Sequence, residues 1–190
     1  MTKAEKARDK ECKAATKEGG KKGQDLIGMC DLGGMRYFTV AMEQCKGDWE
    51  LLELAIAGAN KEPDPDGDDR KGGALHMAKC FMSCGEDGED CKMLIHMPKE
   101  DQGDLSIKEW VNVMIQEGDV MGEILEESED TIKAVARKGA GGKELFPLKQ
   151  RDAAINASFR HLKTLKLVAD ESSGSEVDMG EMAAGADIEW

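Results

Sequence analysis

Two apolar runs, residues 75 to 83 and 91 to 97, are joined by a polar segment that contains two glycines. The second run alternates its side chains between two faces, with Cys91, Met93, Ile95 and Met97 on one of them. This arrangement predicts a β-hairpin, which restricts the fold because a lone hairpin needs further elements to cover its apolar side chains. Taken alone, the first run is also compatible with a short helix.

Capping residues and apolar periodicity predict the other elements. Asp48 is a suitable N-cap for a helix that reaches Asn60, and Ser106 with Glu109 forms a capping box. The predicted elements are a strand at 33–42, helices at 48–60 and 106–117, a short strand at 120–125, and helices at 128–138 and 149–166. Together with the hairpin they predict an α/β (α+β) fold, a single domain with a mixed sheet of three or four strands covered by helices.

Composition divides the chain into three segments. Residues 1–23 form a Lys-rich, partly helical arm whose helix should stop at Gly19 and Gly20, and which either is solvated or contacts an acidic partner. Residues 24–169 form the α/β domain. Residues 170–190 are acidic and rich in Ser, Gly and Ala, which predicts a disordered tail.

Charge limits the classes of partner. The net charge is −13 overall, with +4 in residues 1–23 and −7 in residues 170–190, so the domain itself carries −10. An acidic body repels phosphate backbones, which disfavours a general nucleic-acid binder. The sequence has no apolar run long enough for a membrane span and no signal peptide, which predicts a cytoplasmic protein whose six cysteines are mostly free thiols.

No complete catalytic motif is present, and the sequence favours a protein that is not an enzyme and has no cofactor. The three histidines are far apart, and none has an evident triad partner. Asp64, Asp66 and Asp68 have the spacing of a calcium loop, but Asp69 and Leu75 stand where that loop needs Gly and Glu. We therefore expect an exposed acidic loop there.

The hairpin region concentrates thiols and imidazoles. A metal or redox site there would use His76, Cys80, Cys84, Cys91 and His96. If residues 75 to 83 form a strand, His76, Cys80 and Cys84 spread too far along it to hold one ion, whereas in a helix His76 and Cys80 lie one turn apart and could hold one together. The hairpin brings Cys84 and Cys91 together at its turn, which permits a redox-sensitive pair, and ordinary buried cysteines are the third alternative.

The order of elements and the glycine cluster KGAGG at 138–142 resemble the DHH-associated C-terminal domain of alanyl-tRNA synthetases, over about residues 31–166. The resemblance implies a tRNA-contacting accessory domain. RNA contacts would then involve the basic arm and four basic side chains, Lys138, Lys143, Lys149 and Arg151. No zinc-editing histidine pair is present, so hydrolysis of mischarged tRNA is not implied.

The tail places apolar anchors among its acids, at Met179, Met182, Ile188 and Trp190. A disordered acidic segment gains affinity from such anchors when a groove orders it, and Trp is typical of binding hot spots. The sequence therefore favours a soluble accessory protein that docks a protein partner through this tail, and it sets no oligomeric state. A Met-rich surface, with twelve Met in the chain, is a further candidate for partner contact.

Overall fold

A computed structural model of the chain describes residues 2–63, 71–103, 105–117, 122–139 and 147–168. The described residues form a sheet of five strands, whereas the sequence predicts three or four. The strands are β1 (Tyr37–Ala41), β2 (Ala78–Cys84), β3 (Asp90–His96), β4 (Gly122–Glu127) and β5 (Thr131–Arg137). The strand order is β1-β2-β3-β5-β4. The four α-helices are α1 (Lys3–Gly33), α2 (Trp49–Asn60), α3 (Ile107–Asn112) and α4 (Pro147–Thr164). The predicted α+β class and mixed sheet are confirmed.

The connections explain why the sheet is mixed. β1 and β2 are parallel because α2 crosses over between them, and this helix begins as predicted, where the Asp48 side chain accepts a hydrogen bond from Leu51 N at 3.2 Å. β2 and β3 form the predicted antiparallel hairpin, and β5 continues the antiparallel order to β4. A 3₁₀ turn at Ala74–His76 precedes β2, so the ambiguous first run is mainly a strand.

Helices cover both faces of the sheet, and the alternation of β2 and β3 supplies a core to each. On one face, Phe81 and Leu94 pack with α1 and α2. On the other, Met82 and Met93 pack with Trp110 of α3 and with α4. Met side chains thus fill much of the second core, where their flexibility suits an irregular interior.

The N-terminal helix does not stop at Gly19 and Gly20, and that prediction is wrong. α1 continues to Gly33 and packs along α2, because its glycines allow the two backbones to approach closely. A Cβ on Gly19 would overlap the Ala55 carbonyl oxygen, and a Cβ on Gly58 would overlap that of Thr16. The segment predicted as a solvated arm therefore contributes the wholly buried Ala15 to the core.

Charged contacts join the same helix to the rest of the molecule. Arg8 pairs with Asp48 at 3.0 Å, and Glu18 accepts hydrogen bonds from the backbone N–H groups of Glu43 and Gln44, both at 2.9 Å. The Lys side chains of this segment lie mainly on the opposite, exposed side. Its basic charge and its packing therefore occupy different faces of one helix.

The predicted helix at 128–138 is also wrong, since β5 occupies most of it. Ile132, Ala134 and Ala136 point into the core with the period of a strand. Ser128 closes the turn between β4 and β5, where its N–H donates to the Thr131 carbonyl at 2.8 Å. Pairing with β3 on one side and β4 on the other overrides the helical composition of this segment.

The remaining predicted helices are present with small shifts. Ser106 caps α3 by accepting a hydrogen bond from Glu109 N at 3.1 Å, and the chain then widens into a π-helical turn at Val113–Glu117. α4 begins two residues before the predicted start and ends at Thr164. Among the described residues, no helix combines the length and apolar character that crossing a membrane requires.

The two edges of the sheet differ. β4 is mostly exposed, contains an irregularity between Ile124 and Glu126, and carries acids that pair with neighbouring bases, as Glu126 does with Lys133 at 2.8 Å. β1, at the opposite edge, has two buried residues at its start, and no other described strand pairs with its outer side. Apolar residues of two helices flank it.

Candidate functional site

An apolar groove of about 190 Å³ lies beside the edge of β1 with which no described strand pairs. One wall comes from the end of α1, with Leu26 and Met29, and the other from α4, with Ile155 and Phe159. β1 forms the floor between these helices through residues 37–40. The α1 wall exists because this helix runs on past the glycines at which the sequence predicts its end.

The rim of the groove is open to solvent. Met29 is 47% exposed and Phe159 is 41% exposed, so two large apolar side chains stand at the surface on opposite walls. In the floor, the Ser158 hydroxyl lies 2.9 Å from the Thr39 hydroxyl and accepts a hydrogen bond from Trp110 Nε1 at 2.8 Å. Both hydroxyls thus already have hydrogen-bond partners, and the groove offers a bound segment mainly apolar contacts.

The end of α4 adds positive charge beside the groove. Arg160 and Lys163 are exposed, and Lys163 lies about one helical turn after Phe159 on the same face of α4. Lys166 follows the helix end and is also exposed. Val168, the last residue that the structure describes, lines the groove itself.

The predicted metal ligands do not converge. Cys80, Cys84 and Cys91 lie on the face of the sheet that meets α3 and α4, whereas His96 points to the other face and His76 lies exposed in the turn before β2. Throughout the described ranges, no group of three or more His, Cys, Asp or Glu side chains is placed to hold a metal ion.

Cys84 and Cys91, by contrast, are brought together as the hairpin predicts. They are directly opposed across β2 and β3. Cys84 is half-buried and Cys91 is buried. A hydrogen bond from the Cys91 thiol is the main reason why the pKa of Cys84 is lowered, and Arg151 of α4, which lies near both thiols, adds to this effect.

His96 instead lies beside a buried lysine. Lys79 is wholly buried, and its Nζ donates to the carbonyls of Ala74 at 2.6 Å and Met77 at 2.9 Å, while His96 Nδ1 lies 3.3 Å away. Burial, and then the Lys79 charge, lower the pKa of His96 to about 4, and the carboxylate of Asp130 opposes this only partly. His96 is therefore a neutral neighbour of Lys79 at pH 7.

This contact predicts a loss of stability in acid. The pKa of His96 is about 4 in the folded chain and 6.5 in an ordinary histidine, so the unfolded chain binds the proton more readily between these values. Stability should fall as the pH decreases from about 6.5 to about 4, by roughly 1–2 kcal/mol after allowance for the partial exposure of the ring.

Urea unfolding at pH 7 and at pH 4.5 would measure this effect. We expect His96→Asn to show a smaller loss between the two pH values than the original chain. His76→Asn gives the control, since it removes an imidazole from an exposed position in the turn before β2. Equal pH dependence in all three proteins would contradict the assignment to His96.

A second, polar cleft of about 470 Å³ lies between α3 and α4. There His161 Nε2 lies 3.3 Å from a Glu109 carboxylate oxygen, so His161 has an acidic neighbour that the sequence does not reveal. Ser106, Asn112 and Gln116 contribute further polar side chains to the lining, beside Lys108 and Val113. The Ser106 hydroxyl serves as the cap of α3, and the cleft therefore offers polar contacts rather than an activated nucleophile.

The basic residues predicted to contact RNA have different surroundings in the structure. Lys138 pairs with Glu89 at 3.3 Å, Arg151 pairs with Asp152 at 2.8 Å, and Lys149 is exposed. Lys143 lies outside the described residues, as do the acidic loop with Asp64, Asp66 and Asp68 and the four tail anchors, Met179, Met182, Ile188 and Trp190.

The chain matches no protein-family model and no curated protein. The resemblance to the synthetase domain therefore stays a prediction.

Proposed function

We propose that this chain is an accessory protein that docks a protein partner through its acidic tail, and that the groove beside β1 holds the same tail when no partner is bound. The observation that carries the proposal is an open apolar groove whose lining includes Val168, the residue from which the tail departs.

The chemistry of the groove suits an extended, partly apolar segment. The free edge of a strand offers backbone N–H and C=O groups to a further strand, and apolar side chains on either side receive its alternate residues. Met29 and Phe159 are placed for the second role. The tail supplies candidate residues for it in Met179, Met182, Ile188 and Trp190.

Connectivity and charge both favour the tail as the occupant. Residues 169–190 could span about 70 Å if extended, which is ample to reach any part of the groove. A short tether gives an effective concentration of roughly millimolar, so even weak contacts are occupied. The tail carries seven acids and no base, and it starts beside the basic end of α4 at Arg160, Lys163 and Lys166.

Hydrogen exchange of the β1 amides would test the resting contact. We expect slower exchange in residues 37–41 of the full chain than in a chain that ends at Val168. A synthetic peptide of residues 169–190 should restore the slow exchange when it is added to the shortened chain. Equal exchange in the two chains, or a peptide without effect, would contradict the proposal.

Two exposed apolar residues provide matched variants. Phe159→Asp places a negative charge in the groove, so it should abolish peptide binding, whereas Leu125→Asp places the same charge on β4 at the far edge. Leu125 is 45% exposed, close to the 41% of Phe159, so both variants should fold. Equal binding by the two variants would exclude the groove as the docking site.

Capture from cell extract then addresses the partner. We expect the full-length Phe159→Asp chain to retain more partner than the original chain, because its tail is released from the groove. The chain that ends at Val168 should retain none. If the original and the shortened chain capture the same proteins, the tail is not the docking peptide.

A further inference from the structure

Cys84 and Cys91 face each other in a position that permits a disulfide. Gly85 N donates to the Asp90 carbonyl at 3.0 Å, which makes the 85/90 pair a hydrogen-bonded one. Because hydrogen-bonded and non-hydrogen-bonded pairs alternate in an antiparallel ladder, the 84/91 pair is of the second kind. In such pairs the Cα atoms are about 4.5 Å apart and the side chains are close, within the range that a disulfide spans.

Access distinguishes the two thiols. Cys84 is the last residue of β2 and is half-buried, whereas Cys91 is only 1% exposed. A small molecule can therefore reach the Cys84 sulfur but not the Cys91 sulfur. This asymmetry is the one that a two-cysteine reaction needs, with one thiol to attack and a second, sheltered thiol to resolve.

The pKa values of the two thiols favour the same division of roles, with Cys84 as the attacking thiol. The pKa of Cys84 is lowered chiefly because the Cys91 thiol can donate a hydrogen bond to the Cys84 thiolate. Burial opposes this effect, the Arg151 guanidinium adds to it, and the carboxylates of Asp152 and Asp90 oppose it. The same hydrogen bond and burial raise the pKa of Cys91. Burial raises the pKa of Cys45 to about 12, and it also raises that of Cys80, so neither of these competes as a thiolate.

We propose that Cys84 and Cys91 form a thiol–disulfide exchange site for small or peptide disulfides, in which Cys84 attacks, Cys91 resolves and Arg151 positions and stabilises the Cys84 thiolate. The site lies on the hairpin and α4, and it goes beyond the docking function because it needs neither the groove nor the tail.

The reaction balances in two steps. The Cys84 thiolate attacks one sulfur of the substrate disulfide, forms a mixed disulfide and expels the other half as a thiolate, which takes up a proton. Cys91 then loses its proton and attacks the Cys84 sulfur, and the second half leaves and is protonated. Two protein thiols become one disulfide, while one substrate disulfide is reduced to two thiols.

The test treats the full chain with excess oxidised glutathione and maps the products by mass spectrometry. The original chain should form a Cys84–Cys91 disulfide without retaining glutathione there. Cys91→Ser should retain one glutathionyl group at Cys84, and Cys91→Ala serves as a second resolving-thiol variant in case serine disturbs the buried site. Cys84→Ser should leave Cys91 unmodified.

Two half-buried thiols of α1, Cys12 and Cys30, give the internal comparison. Cys84 should react faster than either, because the Cys91 thiol opposite it and the nearby Arg151 stabilise its thiolate. Equal rates at the three thiols, or a Cys84 that holds glutathione permanently while Cys91 is present, would overturn the proposal.

The role of Arg151 has its own readout. Arg151→Gln should move the pH of half-maximal Cys84 reaction upward, because the thiolate loses a nearby positive charge. Lys149→Gln removes the same charge from an exposed site of the same helix and should leave the profile in place. Identical profiles for the two variants would remove Arg151 from the site.

Discussion

Replacing Gly58 with valine will cost about 3 kcal/mol or more of folding free energy, because the helix crossing between α1 and α2 has no room for a side chain there. Even a lone Cβ on Gly58 would overlap the Thr16 carbonyl oxygen, and the backbone amide of Gly20 lies 3.2 Å from the same position. Both neighbours are backbone, so relief requires α1 to move away from α2 as a whole. Urea unfolding would measure the loss as a lower midpoint at an unchanged slope.

Gly28 supplies the control for this substitution. It lies within α1, yet a Cβ at this residue would meet no atom within 4 Å. Gly28→Ala should therefore stabilise the chain by about 0.5–1 kcal/mol through the helix propensity of alanine. If Gly58→Val were as stable as the original chain, the close packing of α1 on α2 would be wrong.

Replacing Trp110 with alanine will destabilise the chain by about 3–5 kcal/mol, since it empties the centre of the core between the sheet and α4. Trp110 is wholly buried, and its ring meets Tyr37 edge-on at a centroid distance of 5.9 Å. Its indole N–H donates to the Ser158 hydroxyl at 2.8 Å. Packing and hydrogen bonding are lost together, and the thermal midpoint should fall by many degrees.

Trp49 is the matched control. It lies at the start of α2 and is only half-buried, with Lys92 and Lys133 over its ring at 5.6 and 5.8 Å. Trp49→Ala should cost much less, about 1–2 kcal/mol. Equal losses at the two positions would show that Trp110 does not form the centre of a core.

Local signals in the sequence were enough for several elements. Alternation in residues 91–97 predicts β3, and Asp48 and Ser106 predict the starts of α2 and α3, because each cap needs only neighbours within three residues. The pairing of Cys84 with Cys91 is predictable for the same reason, since a hairpin turn fixes which residues oppose each other.

Elements that depend on distant packing were not predictable in this way. From the local sequence, Gly19 and Gly20 predict the end of a helix. In the structure, the absence of a side chain at Gly19 allows α2 to pack closely on α1, and this contact with a distant segment cannot be recognised from neighbouring residues. Residues 131–137 suit a helix or a strand, and pairing with β3 decides between them.

The groove could not be predicted from the sequence, for a related reason. Its walls come from α1 and α4, more than one hundred residues apart, and no short-range pattern links Met29 to Phe159. The neighbour of the thiol pair, Arg151, is also far from the hairpin in the chain, at least 60 residues beyond Cys91. The sequence analysis predicts that Arg151 contacts RNA, whereas in the structure Arg151 lies near Cys84.

The unequal edges of the sheet limit how copies of this chain can associate through backbone pairing. β4 is kinked at Ile124 and Glu126 and carries paired charges, both of which discourage the addition of another strand. Among the described strands, β1 is the other edge, and it becomes available for pairing when the tail is out of the groove. Growth through one edge per molecule joins two chains and then stops, whereas fibres need two receptive edges. Even at high concentration, a folded chain that ends at Val168 should therefore form closed pairs through its sheet rather than extended polymers.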